Sequence, residues 1–161
     1  MNKSSIEINQ LKTLLYRIEA SLDSPLFRSV FAEVDGENKD LTRNGQASCA
    51  VYVSGLLVWA EKLEKMRATV SSLEAGLKES GWVTTDELVP GAVVIWEAAA
   101  QAGGEHHEHA GFVLNETEAV SHSDKELCPV KHHITYGERE DEQPIRSIKD
   151  IYLHTQMHNI K

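Results

Sequence analysis

A cysteine and a histidine of this chain occupy positions that favour nucleophilic catalysis. Cys49 lies in the first turn of a predicted helix, directly after a glycine-containing loop, and His109 opens a predicted strand. A helix start offers unpaired backbone N–H groups and a positive dipole end, which stabilise a thiolate and can bind an oxyanion. A cysteine nucleophile needs a base that is remote in sequence but near in space. We therefore predict Cys49 as nucleophile and His109 as base, the alternative being that Cys49 is a buried core thiol.

The base in such a pair needs a partner that orients its ring through the second nitrogen. The next predicted strand offers Ser121, His122 and Ser123 for this role. Adjacent antiparallel strands lie roughly 5 Å apart, which suits such a contact. The residues alone leave the choice among these three open.

The run EHHEH at 105–109 suggests a different chemistry, because three histidines and two glutamates could bind zinc. The spacing matches no closed structural zinc site, and we place most of the run in a glycine-flanked loop. We therefore expect His106 and His107 to be solvated loop residues. We predict no metal and no other cofactor.

The elements that must position these residues follow from the apolar spacing. Apolar residues recur at helical intervals before Gly81 and in short alternating or continuous runs after it. We predict helices at about 6–22, 47–67 and 71–80, and strands at 92–96, 109–115, 118–123, 132–137 and 145–154. Helices followed by consecutive strands predict a single α+β domain over 1–161, with a helical part (about 1–81) packed on an antiparallel sheet (about 92–154).

The order of four motifs resembles the NlpC family and the related CHAP amidases, which are papain-like cysteine hydrolases. The motifs are SCAVYVSGLL at the helix start, VPGAVVIW, HAGFVLN and EAVSHS, and the resemblance covers about residues 41–123. It implies a papain-like fold and cleavage of an amide or peptide bond, with cell-wall peptides among the candidate substrates. It also implies that Cys49 and His109 are catalytic and that His122, or else Ser121, is the third residue.

Several neighbouring residues qualify this resemblance. Ser48 stands where the NlpC family usually has Asp, and Gln46 is the nearest candidate for the upstream glutamine that helps form an oxyanion hole. Trp96 ends a predicted strand and either packs in the core or forms a wall of the groove, and Arg43 could receive an anionic substrate. Three alternatives stay open: a catalytically inactive module that binds a peptide or protein, a His-rich metal-binding protein, and an acyl transferase with the same Cys–His pair.

Charge and hydropathy limit the partners. The formal net charge of -9 disfavours nucleic acid and anionic membrane surfaces, so we expect a peptide or amide substrate instead. The sequence shows neither a signal peptide nor an apolar run of roughly 20 residues. We therefore expect a cytoplasmic protein, or one exported by a route that its sequence does not reveal. In a reducing cytoplasm a disulfide between Cys49 and Cys128 is not expected.

Overall fold

The change from helical to alternating spacing near Gly81 is reproduced in a computed structural model, which describes residues 4–100 and 104–159. The described part of the chain contains three α-helices: α1 (Gln10–Ala20), α2 (Cys49–Trp59) and α3 (Val70–Glu79). A short 3₁₀ turn at Pro25–Phe27 follows α1. None of these helices has the length and apolarity needed to cross a membrane.

The strands form two antiparallel sheets. A small hairpin pairs β1 (Phe31–Val34) with β2 (Glu37–Asp40). The main sheet has six strands in the order β3-β8-β4-β5-β6-β7, and every neighbouring pair is antiparallel. Its strands are β3 (Trp82–Thr85), β4 (Val93–Ala100), β5 (His106–Val113), β6 (Glu118–His122), β7 (Pro129–His133) and β8 (Ile148–His154). The predicted α+β class with an antiparallel sheet is thus confirmed.

Both faces of the main sheet carry apolar side chains, because successive residues of a strand point to opposite faces. The first face packs against the helices, and its core includes Tyr52, Ile95 and Phe112. The second face carries a separate core, which includes Trp96 and Val113 and is covered by loop residues. The strands in the middle of the sheet are therefore buried on both sides.

The second helix is shorter than predicted. It ends at Trp59 instead of residue 67, because Glu61 takes a left-handed conformation with φ 56°. The Ser54 hydroxyl then accepts a hydrogen bond from the Arg67 backbone N–H (2.8 Å), which folds the following segment back along α2. Residues 60–67, predicted as the last part of this helix, form an irregular segment instead.

The β4–β5 hairpin is longer than predicted. β4 continues to Ala100 and β5 begins at His106, so most of the EHHEH run is strand and its assignment to a loop is wrong. The register of the β4–β5 pairing shifts between Trp96 and Ala99. Small residues in this stretch gave no alternating apolar pattern, and the pairing was therefore missed.

Polar strands were also missed. The β1–β2 hairpin turns at Asp35 and Gly36, both with positive φ, but its residues are mostly exposed and show no apolar alternation. β3 was missed for the same reason. The strand predicted at 132–137 begins three residues earlier and ends four residues earlier, as β7, and the last strand begins at Ile148 rather than at residue 145.

Candidate active site

Cys49 is the first residue of α2 and is partly buried. The preceding residue, Ser48, makes no capping hydrogen bond with its side chain, so it does not occupy the free N–H groups of the first turn. Burial raises the pKa of the Cys49 thiol, while the backbone N–H groups of Ala110 and Ala50 approach the sulfur and oppose that rise. The sulfur therefore lies among hydrogen-bond donors that favour negative charge at this point.

His109 lines the same pocket from the sheet, and no hydrogen bond joins it to Cys49 among the described residues. It precedes Ala110 in β5, is 6% exposed, and lines with Cys49 a pocket of about 410 Å³. The β5–β6 ladder ends at the pair Gly111 and Ser121. The two strands are therefore unpaired beside Cys49, and the start of α2 meets β5 at this opening. The structure thus brings the predicted nucleophile and base into one pocket.

Strand alternation places His109 on the second face of the sheet, turned away from the helices. There its ring centroid lies 5.6 Å from that of Trp96 and 6.4 Å from that of Tyr136. Within the described residues, its Nδ1 atom is buried without a hydrogen-bond partner. Burial lowers the pKa of His109 to about 3, and the positive charge of Arg146 adds to this effect. The imidazole is therefore neutral near pH 7, and burial disfavours its protonated form.

His122 approaches the pocket from the opposite side. It is buried on the helix-facing side of the sheet, and its ring centroid lies 6.4 Å from that of Tyr52. Neither ring nitrogen has a hydrogen-bond partner in the described part of the chain, so His122 does not hydrogen-bond to His109 here. Burial lowers the pKa of His122 to about 4.

Ser121, the other candidate for the third residue, lies on the His109 face of the sheet. Its hydroxyl bonds instead with the Nε2 atom of His132 (2.8 Å) and with the hydroxyl of Tyr136 (3.1 Å). The rings of His132 and Tyr136 are stacked, with centroids 4.0 Å apart. The surface around His109 is thus made by packed rings rather than by one orienting hydrogen bond.

The loop before Cys49 is held by the carboxylate of Asp40. That carboxylate accepts hydrogen bonds from the Thr42 hydroxyl (2.6 Å) and from the backbone N–H of Asn44 (2.8 Å). These contacts, led by the bond from Thr42, lower the pKa of Asp40. They fix a loop in which Arg43 and Asn44 both have positive φ.

This loop carries two of the predicted binding residues to the mouth of the pocket. Arg43 and Gln46 both line the pocket, and both are exposed. Arg43 is engaged with Glu105, with Nη1 and Oε2 3.7 Å apart. Trp96 is fully buried, and its indole N–H donates to the Ile134 carbonyl (2.7 Å), which fixes the ring beside His109.

The histidines of the EHHEH run diverge. Alternation along β5 puts His107 and His109 on one face and His106 on the other. The Nε2 atom of His107 lies 2.8 Å from Glu105 Oε2, at the surface. No group of three metal-ligating side chains is found within residues 4–100 and 104–159.

Three residues of the site were missed from the sequence: His132, Tyr136 and Arg146. The Arg146 guanidinium donates to the carbonyls of Glu97 (3.1 Å) and His107 (2.7 Å), close to His109. In the sequence, all three occur in segments predicted as strands, where no pattern marks them as parts of a site. Only the pairing of β7 with β6, and the return of the segment after β7 over the second face, bring these side chains to the site.

No known protein family matches the chain, and no curated protein resembles it closely enough to be matched.

Proposed function

We propose that the protein is a papain-like cysteine hydrolase that cleaves an amide or peptide bond. One observation carries the proposal: the thiol of Cys49 and the imidazole of His109 line one pocket, at the start of a helix and beside free backbone N–H groups. This combination supplies a nucleophile, a base and donors for an oxyanion.

The proposed reaction starts from a neutral pair. Burial disfavours both the thiolate of Cys49 and the imidazolium of His109. We therefore infer that His109 removes the thiol proton as the sulfur attacks the carbonyl carbon, rather than beforehand. The S–C bond forms, and the carbonyl oxygen takes up the negative charge.

The next steps use the same two side chains. The oxyanion is stabilised by N–H groups at the start of α2, where one such donor is typically worth about 10²–10³ in rate. His109 gives its proton to the nitrogen as the C–N bond breaks, and the amine leaves. Water then attacks the thioester with His109 as base, which releases the carboxylic acid and restores the thiol of Cys49.

The rings around His109 position its imidazole in the proposed mechanism. Trp96 and Tyr136 pack against the imidazole, and Trp96 is itself fixed by its bond to the Ile134 carbonyl. Packing of this kind restricts the orientation of the ring even though its Nδ1 atom has no partner in the described residues. It stands in for the hydrogen bond that a third residue supplies in other Cys–His enzymes.

A second candidate function is a catalytically inactive module that binds a peptide in the same pocket. The specific observation in its favour is electrostatic, because burial keeps Cys49 and His109 neutral and neither Ser121 nor His122 orients the base. Such a module would bind a peptide without cleaving it.

Turnover separates the two candidates. The reduced protein is incubated with a mixture of cell-wall peptides, γ-glutamyl peptides and simple N-acyl amides, and the products are identified by mass spectrometry. We expect cleavage by the wild type and by Cys128→Ser, and none by Cys49→Ala. Binding of a peptide without turnover, with the Cys49 thiol shown to be reduced, would favour the inactive module.

A further inference from the structure

A second pocket adjoins the one that contains Cys49. It has a volume of about 630 Å³ and lies on the second face of the main sheet. His109 and Asp124 line both pockets, so the imidazole stands at the boundary between them. The remaining polar lining residues are Ser121, Ser123, Lys125, His132, Tyr136 and Arg146.

Arg146 is the most constrained cation of this second pocket. Its guanidinium is partly buried and held through Nε and Nη2 by the carbonyls of Glu97 and His107. Neutral carbonyls fix the direction of the group without neutralising its charge. None of the salt bridges within the described ranges involves Arg146, whereas Arg67 contacts Glu79.

The charged side chains near Arg146 do not neutralise its positive charge through direct contact. Asp124 lines the same pocket and interacts with Arg146 only at a distance, and Lys125 adds a second positive charge. His132 and Tyr136 are neutral near pH 7, because burial lowers the pKa of His132 and raises that of Tyr136 to about 12. The pocket wall near Arg146 therefore presents a fixed guanidinium beside neutral hydrogen-bonding groups.

We propose that this second pocket binds a carboxylate of the substrate through Arg146, while the scissile carbonyl lies at Cys49. The substrate class is then a peptide or N-acyl amino acid with a free carboxylate close to the bond that is cleaved. A planar guanidinium suits this task because its N–H groups match the two oxygens of a carboxylate. The proposal rests on the proposed function, since it assigns the two pockets to one substrate.

This assignment differs from the one that the sequence suggested. Arg43 was the predicted anion receiver, but its side chain is exposed and already contacts Glu105. The molecule carries a formal net charge of -9, so an anion approaching the site needs a local cation to bind. Arg146 fits that need better than Arg43, because it is held in place and has no carboxylate in contact among the described residues.

Alkylation with two reagents of matched structure but different charge tests the carboxylate site without requiring turnover. Iodoacetyl-glycine and iodoacetyl-glycinamide form the same S–C bond with loss of iodide and differ in the charge of one group. The rate at each cysteine is measured by peptide mass mapping, with Cys128 as the internal control. We expect the acid-to-amide rate ratio at Cys49 to exceed that at Cys128 and to fall roughly tenfold in Arg146→Gln, the scale of one charge-assisted contact.

The controls separate a carboxylate site from general electrostatics. Arg146→Lys should retain part of the ratio, and Arg139→Gln, an exposed arginine of the same segment, should leave it unchanged. An unchanged ratio in Arg146→Gln, or an equal loss in Arg139→Gln or Arg43→Gln, would overturn the proposal. The melting temperature of each variant is measured alongside the rates.

A protection experiment on the wild type avoids dependence on folding of the variants. N-acetylglycine should slow alkylation of Cys49 by iodoacetamide, and N-acetylglycinamide at the same concentration should not. Equal protection by both compounds, or by neither, would overturn the carboxylate site. No turnover of any amide by the reduced protein, with the acid-to-amide ratio still dependent on Arg146, would count against the hydrolase and leave the carboxylate site standing.

Discussion

At the scale of single residues, burial and hydrogen bonding act on Cys49 in opposite directions. Burial raises the pKa of the thiol, and the N–H groups of Ala110 and Ala50 lower it without compensating fully. His109 is shifted towards its neutral form by the same cause, burial. A preformed thiolate–imidazolium pair is therefore not the resting state of this site, and proton transfer has to accompany attack.

The two buried histidines should differ in their roles. His109→Ala should reduce turnover by about a thousandfold or more, because it removes the only proton acceptor assigned to the reaction. His122→Ala should cost less turnover and more stability, about 1–3 kcal/mol, because its ring packs beside Tyr52 and makes no hydrogen bond in the described residues.

Steady-state rates and urea unfolding of the two variants check this difference, with Lys131→Ala as an exposed control from β7 that lines neither pocket. Equal losses of turnover in the His109 and His122 variants, without a change in the free energy of unfolding, would contradict the roles assigned here.

At this scale the sequence predicted Cys49 as nucleophile from its place at the start of α2, which is visible as a change of spacing. It predicted His109 as base from an expected strand start, but β5 begins at His106 and His109 is its fourth residue. Arg146 could not be identified in this way. Its role depends on two backbone carbonyls, of Glu97 and His107, that only the folded hairpin brings to it. The third residue stayed unresolved because alternation separates Ser121 and His122 onto different faces, which cannot be assigned before the register is known.

At the scale of elements, the site depends on how closely β4, β5 and β6 approach one another. Gly111 lies at the last pair of the β5–β6 ladder, beneath Trp96. An added Cβ would lie 2.5 Å from the Val120 carbonyl oxygen and 2.9 Å from the Trp96 ring. A glycine here lets the indole pack over the strand next to His109.

Gly111→Ala should therefore destabilise the fold by about 1–3 kcal/mol, since a backbone carbonyl cannot move aside as a flexible side chain can. It should also slow alkylation of Cys49 by displacing Trp96. Gly36→Ala serves as the control, because its Cβ meets nothing within 4 Å and only the positive φ is strained. Thermal melting and alkylation rates are measured for both variants. Equal effects in the two would refute the packing role of Gly111.

The elements that could be predicted are those with a strong apolar period. The core of β4 and the start of α2 were predicted because their residues are buried and apolar. The β1–β2 hairpin and the first part of β5 carry exposed polar residues, so only pairing with a neighbouring strand makes them strands. The end of α2 was mispredicted because it is set by the backbone at Glu61 and by Ser54, not by a loss of apolar residues.

At the scale of the whole molecule, several histidines are buried in their neutral forms. The pKa values of His109 and His122 are lowered by burial to about 3 and about 4, and those of His132, His154 and His158 are lowered as well. Below about pH 6.5, the usual pKa of an unfolded histidine, the unfolded chain binds protons that the native chain does not. The contribution of these histidines to the free energy of unfolding is therefore complete above that pH and is lost as the pH falls towards 4.

His109 and His122 should each contribute a slope of up to about 1.4 kcal/mol per pH unit between about pH 6.5 and their folded pKa values of about 3 and about 4. Urea unfolding at several pH values should show this loss on acidification, and His109→Gln should reduce the slope. His106→Gln, at an exposed position, should leave the slope unchanged. A slope that is the same in all three proteins would show that His109 is not buried in its neutral form.

A burst measurement with p-nitrophenyl acetate on the reduced protein tests most directly whether Cys49 is a catalytic nucleophile. Acetylation of a nucleophile releases p-nitrophenolate, and hydrolysis of the resulting thioester sets the slower phase that follows. We predict a burst of about one equivalent, an acetyl group mapped to Cys49, and its slower release in His109→Ala. No burst, or an acetyl group on Cys128 or a lysine in place of Cys49, would contradict the assignment of Cys49 as a catalytic nucleophile.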